Sequence, residues 1–283
     1  MEKAGNVSGA RFYYLKNDAV KLEFALINFA LDFLSKNSFT LMTTPMIIKK
    51  EILQGAGFLP YGKEDTYKIE KEDKYLVGTS EQALCGYFAN NIFEKKNLPS
   101  KLCGYSSCFR TEAGSHGKDT KGIFRVHQFE KIEMFIFCHP NESWMEFEEL
   151  INTAEEMMKL LELPYRVVNI CTGDIGVVAS KKYDIEVWFP SQKKYKELVS
   201  CSNCTDYQAR RLNIKYRTKT GTAPEGFVHT LNSTAIAIQR TIAAIIENYQ
   251  QKDKSIKIPK VLVKYFGKDK IEIEKKELGD KIK

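Results

Sequence analysis

The stretch Cys108–Phe137, CFRTEAGSHGKDTKGIFRVHQFEKIEMFIF, decides the fold. It reads as strand, polar loop, strand. The first strand ends at Phe109-Arg110. The loop Thr111–Gly122 carries Gly114, Gly117, Gly122 and four charges, as a hairpin connection requires. It is longer than an ordinary hairpin loop, and long loops inside compact domains are often functional. The second strand, Ile123–Phe137, is rich in Phe, Ile and Val. Strand side chains alternate between faces. One face therefore carries Arg125, His127, Phe129, Lys131 and Glu133, and the other Val126, Gln128, Glu130, Ile132 and Met134. Arg110 and Glu112 arrive beside the first face from the paired strand. Cation, aromatic and carboxylate together suit a nucleotide and a zwitterion. A solvated sheet face with incidental ion pairs explains the same alternation.

Outward from this hairpin, the chain has 283 residues, 43% hydrophobic and 28% charged, as in a globular protein with a sizeable core. The net charge of +7 is compatible with RNA or phosphate ligands without requiring them. Seven scattered cysteines fit no disulfide scaffold and read as reduced thiols of a cytoplasmic protein. Cys201-Ser202-Asn203-Cys204 is a lone CxxC without the further ligands zinc needs. The opening MEKAGNVSGARF has no apolar leader core, and no run is long enough to span a membrane.

Asn17 to Asn37 reads as an amphipathic helix, with Leu22, Leu26, Phe29, Ala30 and Phe33 at helical spacing. A strand at Phe39–Met42 runs into Pro45, which marks a sheet edge. Tyr75–Val77 is a short strand. Thr79-Ser80-Glu81 opens a helix, Thr79 or Ser80 as N-cap and Glu81 in its first turn. Asn141 is expected to cap a helix to about Leu163, ended by Pro164. Tyr183–Phe189 alternates as a strand, with Asp184 and Glu186 suited either to a cation or to the surface. Tyr195–Ser200 is the next strand, and Asp206–Arg211 reads as a supporting helix. In Thr230–Arg240, Asn232, Ser233 or Thr234 is expected to cap an apolar helix running through Ile246. A buried Arg240 then needs a carboxylate or a phosphate partner. The tail from Lys264 is expected to be a charged extension.

Phe109-Arg110-Thr111-Glu112 with Arg125-Val126-His127-Gln128-Phe129 resembles motif 2 of class II aminoacyl-tRNA synthetases, in its seryl form. The helix, strand and Pro45 resemble motif 1, and Thr230–Arg240 resembles motif 3. The resemblance runs from about Gly9 to Phe266. It implies an α+β catalytic domain, a six- to eight-stranded antiparallel sheet flanked by helices, spanning 1–283 with a core at 9–266 and a charged tail at 267–283. It implies conversion of L-serine and ATP to seryl-adenylate, then transfer to serine tRNA, with selenocysteine tRNA as a further acceptor. Arg110, Glu112, Arg125, Val126, Phe129, Glu197, Leu198, Val199, Ser200 and Arg240 would meet ATP, with Arg110, Glu197 and Arg240 catalytic. Thr79, Ser80, Glu81, Arg110, Glu133, Asn232 and Thr234 would hold serine. Glu197 and Ser200 would hold Mg²⁺, and no zinc is expected. Motif 1 implies a homodimer. The N-terminal helical arm of this family is missing from the chain, so weak tRNA charging is expected. Two alternatives stay open: a stand-alone paralogue loading a different acceptor, and an inactive regulatory relative.

Overall fold

The computed structural model describes residues 1–114, 117, 119 and 122–272. Its centre is a seven-stranded sheet built from β1 (Thr40–Thr43), β2 (Ser100–Phe109), β3 (Gln128–Cys138), β4 (Tyr165–Asn169), β5 (Lys181–Phe189), β6 (Lys194–Asn203) and β7 (His229–Ala237). The spatial order is β1-β2-β3-β7-β6-β5-β4. The expected antiparallel sheet is found from β2 onward, in register from Ser100 opposite Phe137 to Phe109 opposite Gln128. The exception is β1, which runs parallel to β2. The long excursion between them makes a parallel crossover possible. Pro45 follows β1 at the sheet edge, as its missing N–H demands.

The alternation of β3 divides the molecule. Ile132, Met134, Ile136 and Cys138 enter the main core. Phe135 and Phe137, on the opposite face, join a second core with Leu84, Ala209 and Ile214. Further along that second face lie Phe129, Lys131 and Glu133, where the apolar filling gives way to a cavity. The main core is closed by helices α1 (Asp18–Lys36), α3 (Ser143–Leu160) and α5 (Ile238–Tyr249). In α1 the residues at helical spacing, Leu22, Leu26, Phe29 and Ala30, are buried, and Phe33 packs against them partly exposed. Each such buried leucine contributes about 1.5–3 kcal/mol. Helix α2 (Ser80–Tyr87) and helix α4 (Tyr207–Leu212) belong to the other side, behind the cavity.

Several expectations change. Residues 230–237 form strand β7, not a helix, and α5 begins only at Ile238. Asn232, Ser233 and Thr234 look like caps in isolation. All three pair with β3 instead, and Asn232 and Ser233 also pair with β6. Ile123–His127 is not part of β3, which starts at Gln128. Asn141 lies inside a single 3₁₀ turn, Pro140–Glu142, capped by His139, and α3 stops at Leu160, before Pro164. Residues Lys264–Phe266 complete a helix from Lys260, and Lys270–Ile271 pairs antiparallel with Ile256–Lys257. The tail beyond 272 lies outside the described residues. No helix among the described residues is long and apolar enough to cross a membrane.

Candidate active site

The cavity beside β3 has a volume of about 450 Å³. Phe124, Arg125, Val126 and the β3 residues Phe129, Lys131 and Glu133 form one wall, and Arg110 stands at the end of β2. Thr79 and Glu81 come from the start of α2, and Glu197, Leu198, Ser200 and Ser202 from β6. Asn232, Thr234 and Ala237 come from β7, and Gln239 and Arg240 from the first turn of α5.

Two irregularities in the ladders set this lining. Opposite β5, the β6 register passes from Val199 to Glu197, leaving Leu198 as an extra residue. Glu197 and Ser200, three apart, would otherwise point to opposite faces. The bulge turns both toward the cavity, while Val199 stays in the core. In β7 the register shifts between Thr234 and Ile236, so Thr234 and Ala237 both reach the cavity.

Three guanidinium groups converge. Arg110 donates from Nε to the Gly78 carbonyl (3.2 Å), and its guanidinium lies 5.2 Å from the Phe129 ring centre. Arg125 is held by Glu112 at 2.7 Å, and its buried Nε has no hydrogen-bond partner among the described residues. Arg240 donates to the Glu197 carbonyl (2.9 Å), pairs with its carboxylate (3.4 Å) and stacks on Phe124 at 4.8 Å. Burial lowers the Arg240 pKa; Glu197 opposes this, and Arg110 and Arg125 add to it. Such mutual repulsion is relieved by a polyanion placed among the three. Burial pushes the Glu197 carboxyl up, but Arg240, Lys182 and Arg110 outweigh it and hold it below its usual value.

The other cluster is acidic and hydroxylic. Lys131 Nζ meets Glu133 Oε2 at 2.5 Å with both residues buried, and Thr234 Oγ1 donates to the same oxygen at 3.4 Å. The Glu81 carboxylate accepts from Gln208 Nε2 (2.9 Å) and Asn232 Nδ2 (3.1 Å). Its pKa rises to about 7, first from burial and then from Glu133, against Lys131, Gln208 and Arg110. Arg110 therefore acts on both clusters, on Glu81 and on Arg240. Thr79 Oγ1 accepts from the Glu81 N–H (3.2 Å), so it caps α2 as well as lining the cavity.

Two expected contacts are placed elsewhere. The Ser80 hydroxyl donates to the Gly104 carbonyl (3.0 Å), fully buried behind the cavity, and Val199 belongs to the main core. Asp184, read as either a cation ligand or a surface residue, is 91% buried opposite Ser200 in the ladder, and Glu186 is half-buried and paired with Arg166. Cys201 lies in the core, and Cys204 faces the cavity and accepts from Asn232 Nδ2 (3.4 Å). Sequence reading places Lys131 on the site face without giving it a role, and it misses Gln208 and Gln239. Gln208 and Gln239 act through long-range hydrogen bonds that leave no local signal.

Residues 66–249 match the tRNA synthetase class II core domain (G, H, P, S and T). The chain belongs to this family of class II synthetase cores. Its relatives within it include the serine–tRNA ligases of Thermoplasma volcanium, 55% identical over 94% of this chain and 60% of theirs, and Archaeoglobus fulgidus, 53% identical over 94% and 59%. The seryl-tRNA synthetase of Pyrococcus horikoshii, solved with ATP, superposes with a TM-score of 0.93 at 53% identity, covering 96% of this chain and 61% of that one. The cytoplasmic serine–tRNA ligase of Naegleria fowleri, solved with AMP, gives 0.90 at 45% identity over 96% and 64%. The chain thus spans about 60% of the length of the curated relatives it matches.

Proposed function

We propose that this chain activates L-serine with ATP, forming seryl-adenylate and pyrophosphate, and is the catalytic part of an enzyme that passes the seryl group to serine tRNA. The observation that carries the proposal is one cavity holding three convergent arginines, the rings of Phe124 and Phe129, and a separate Glu81–Glu133–Thr234 cluster. This is the complementarity a nucleoside triphosphate and an amino acid need side by side. The solved relatives bound to ATP and AMP support the nucleotide reading.

The reaction needs no covalent enzyme nucleophile. The serine carboxylate attacks the α-phosphorus, and pyrophosphate leaves opposite. The chain supplies position and charge. Arg110, acting on both clusters, bridges the serine carboxylate and the α-phosphate. Arg125 and Arg240 hold the β,γ end, and Phe129 stacks on adenine. Glu112 acts through Arg125, which it orients at 2.7 Å, rather than directly on the base. Glu81 and Thr79 take the serine ammonium, and Glu133 and Thr234 its hydroxyl. Alanine in that position leaves these buried polar groups unpaired, whereas threonine is excluded only by a wall against one methyl, worth about 1–3 kcal/mol.

The family implies Mg²⁺. The donor set fits a hard cation: Glu197 and Ser200 present oxygens to the cavity, and the buried Asp184 Oδ1 beside them has no hydrogen-bond partner among the described residues, only Lys182 Nζ at 4.0 Å. Glu197 and Ser200 would hold the ion, whose charge, when bound, offsets that of the phosphate oxygens. A homodimer formed through the motif 1 region, a cytoplasmic location, a single catalytic domain over 1–283, and serine and selenocysteine tRNA as acceptors belong to the same proposal. Arg110→Ala tests it: adenylate formation is lost while the unfolding midpoint stays within a few degrees of wild type. Near-normal activity refutes the assignment of Arg110.

A further inference from the structure

Gln239 is 2% exposed and uses its whole amide. Its Oε1 accepts from the Glu130 backbone N–H (2.8 Å). Its Nε2 donates to Glu23 Oε1 (3.1 Å) and, in a short contact, to Glu130 Oε2. The Glu130 carboxylate also accepts from Tyr13 (3.1 Å) and Ser107 (3.4 Å). One side chain therefore ties together helix α1, strand β3 and the first turn of α5. Glu130 follows Phe129 in the chain, and Arg240 follows Gln239.

We propose that Gln239 is a positioning residue that sets the spacing between Phe129 and Arg240, and so between the adenine and polyphosphate contacts. This rests on the reading of those two residues as nucleotide contacts. Two features give the linkage its precision. The bond to the Glu130 N–H fixes main chain, not only side chain, so a shift of α5 moves with β3. The two carboxyl groups brought together by the amide repel each other when both are charged. Burial and then Glu130 accordingly push the Glu23 pKa up to about 7. An amide donating to both is the neutral group that lets them approach. Among the described residues none of these hydrogen bonds reaches Glu81, Glu133 or Thr234, so loss of the linkage should be felt more by ATP than by serine.

The test is steady-state ATP–pyrophosphate exchange by Gln239→Leu, with KM measured separately for ATP and serine and Phe129→Ala run alongside. Small misplacements of reacting groups are expensive. The expected result for Gln239→Leu is a KM for ATP raised about tenfold or more, with the KM for serine changed less than about twofold. Should that variant fail to fold, Gln239→Met keeps the side-chain length and is judged by the same ratio. An unchanged KM for ATP, or equal rises for ATP and serine, overturns the proposal, because general loosening does not discriminate between substrates. If Phe129→Ala raises the KM for ATP and the Gln239 variant does not, positioning alone fails. If neither does, the nucleotide reading of Phe129 fails with it.

Discussion

Lys131→Met removes the cation from the most enclosed ion pair at the site. Lys131 is 7% exposed and Glu133 2%, and their charged atoms are 2.5 Å apart. The substitution keeps the aliphatic stem and leaves Glu133, among the described residues, the Thr234 hydroxyl at a long 3.4 Å. Breaking a buried pair from one side costs about 3–5 kcal/mol, because the remaining charge is uncompensated, whereas an exposed pair is worth about 0–1 kcal/mol. In a chain of this size each kcal/mol moves the melting point by roughly 2–4 °C, so a loss on the order of 10 °C is expected. Urea and thermal unfolding of Lys131→Met, Glu133→Gln and the double variant measure it. The double variant should recover most of the loss, since a neutral amide needs no cation, giving a coupling energy of about 2 kcal/mol or more. A single-variant cost below about 1 kcal/mol, or a double variant as unstable as the sum, refutes the claim that the pair is enclosed and mutually dependent.

If Glu81 takes the serine ammonium as proposed, serine affinity depends on pH. Its carboxyl is raised to about 7, and the ammonium needs it charged, so below that pH a proton must leave before serine binds. The KM for serine should rise up to about tenfold per pH unit below 7 and level off above it, and Glu81→Gln should be weak and flat across that range. A wild-type profile flat from pH 6 to 8 contradicts the assignment. The same shift stabilises the unliganded fold fully below about 4.5, and that contribution fades as pH rises through about 7. Glu197→Gln should raise the Mg²⁺ concentration for half-maximal exchange about tenfold or more, with little change in the KM for serine; an unchanged Mg²⁺ titration removes Glu197 as a ligand.

The parts of this architecture legible in sequence are those with a local period. Helix α1 announces its buried face at Leu22, Leu26 and Phe29, and β3 divides Phe129, Lys131 and Glu133 from Ile132 and Met134 by simple alternation. Strand β7 was not legible, because burial on both faces removes alternation, and Asn232-Ser233-Thr234 ahead of Ala235-Ile236 suits the capped start of a helix equally well. Arg240 was correctly singled out as a charge needing a partner, although its helix starts eight residues after Thr230. The joint reach of Glu197 and Ser200 into the cavity depends on the extra residue Leu198, and bulges have no dependable sequence mark. Ser80 was read with Thr79 and Glu81 as one group, but the cap turns Thr79 and Glu81 to the cavity and Ser80 to the Gly104 carbonyl.

The most direct test of the central claim is amino-acid-dependent ATP–pyrophosphate exchange, comparing serine, threonine, alanine and glycine with and without Mg²⁺. Mg²⁺-dependent exchange with serine is expected, with weaker exchange for threonine and next to none with alanine or glycine. Exchange driven best by another amino acid, or none at all from folded protein, would contradict it.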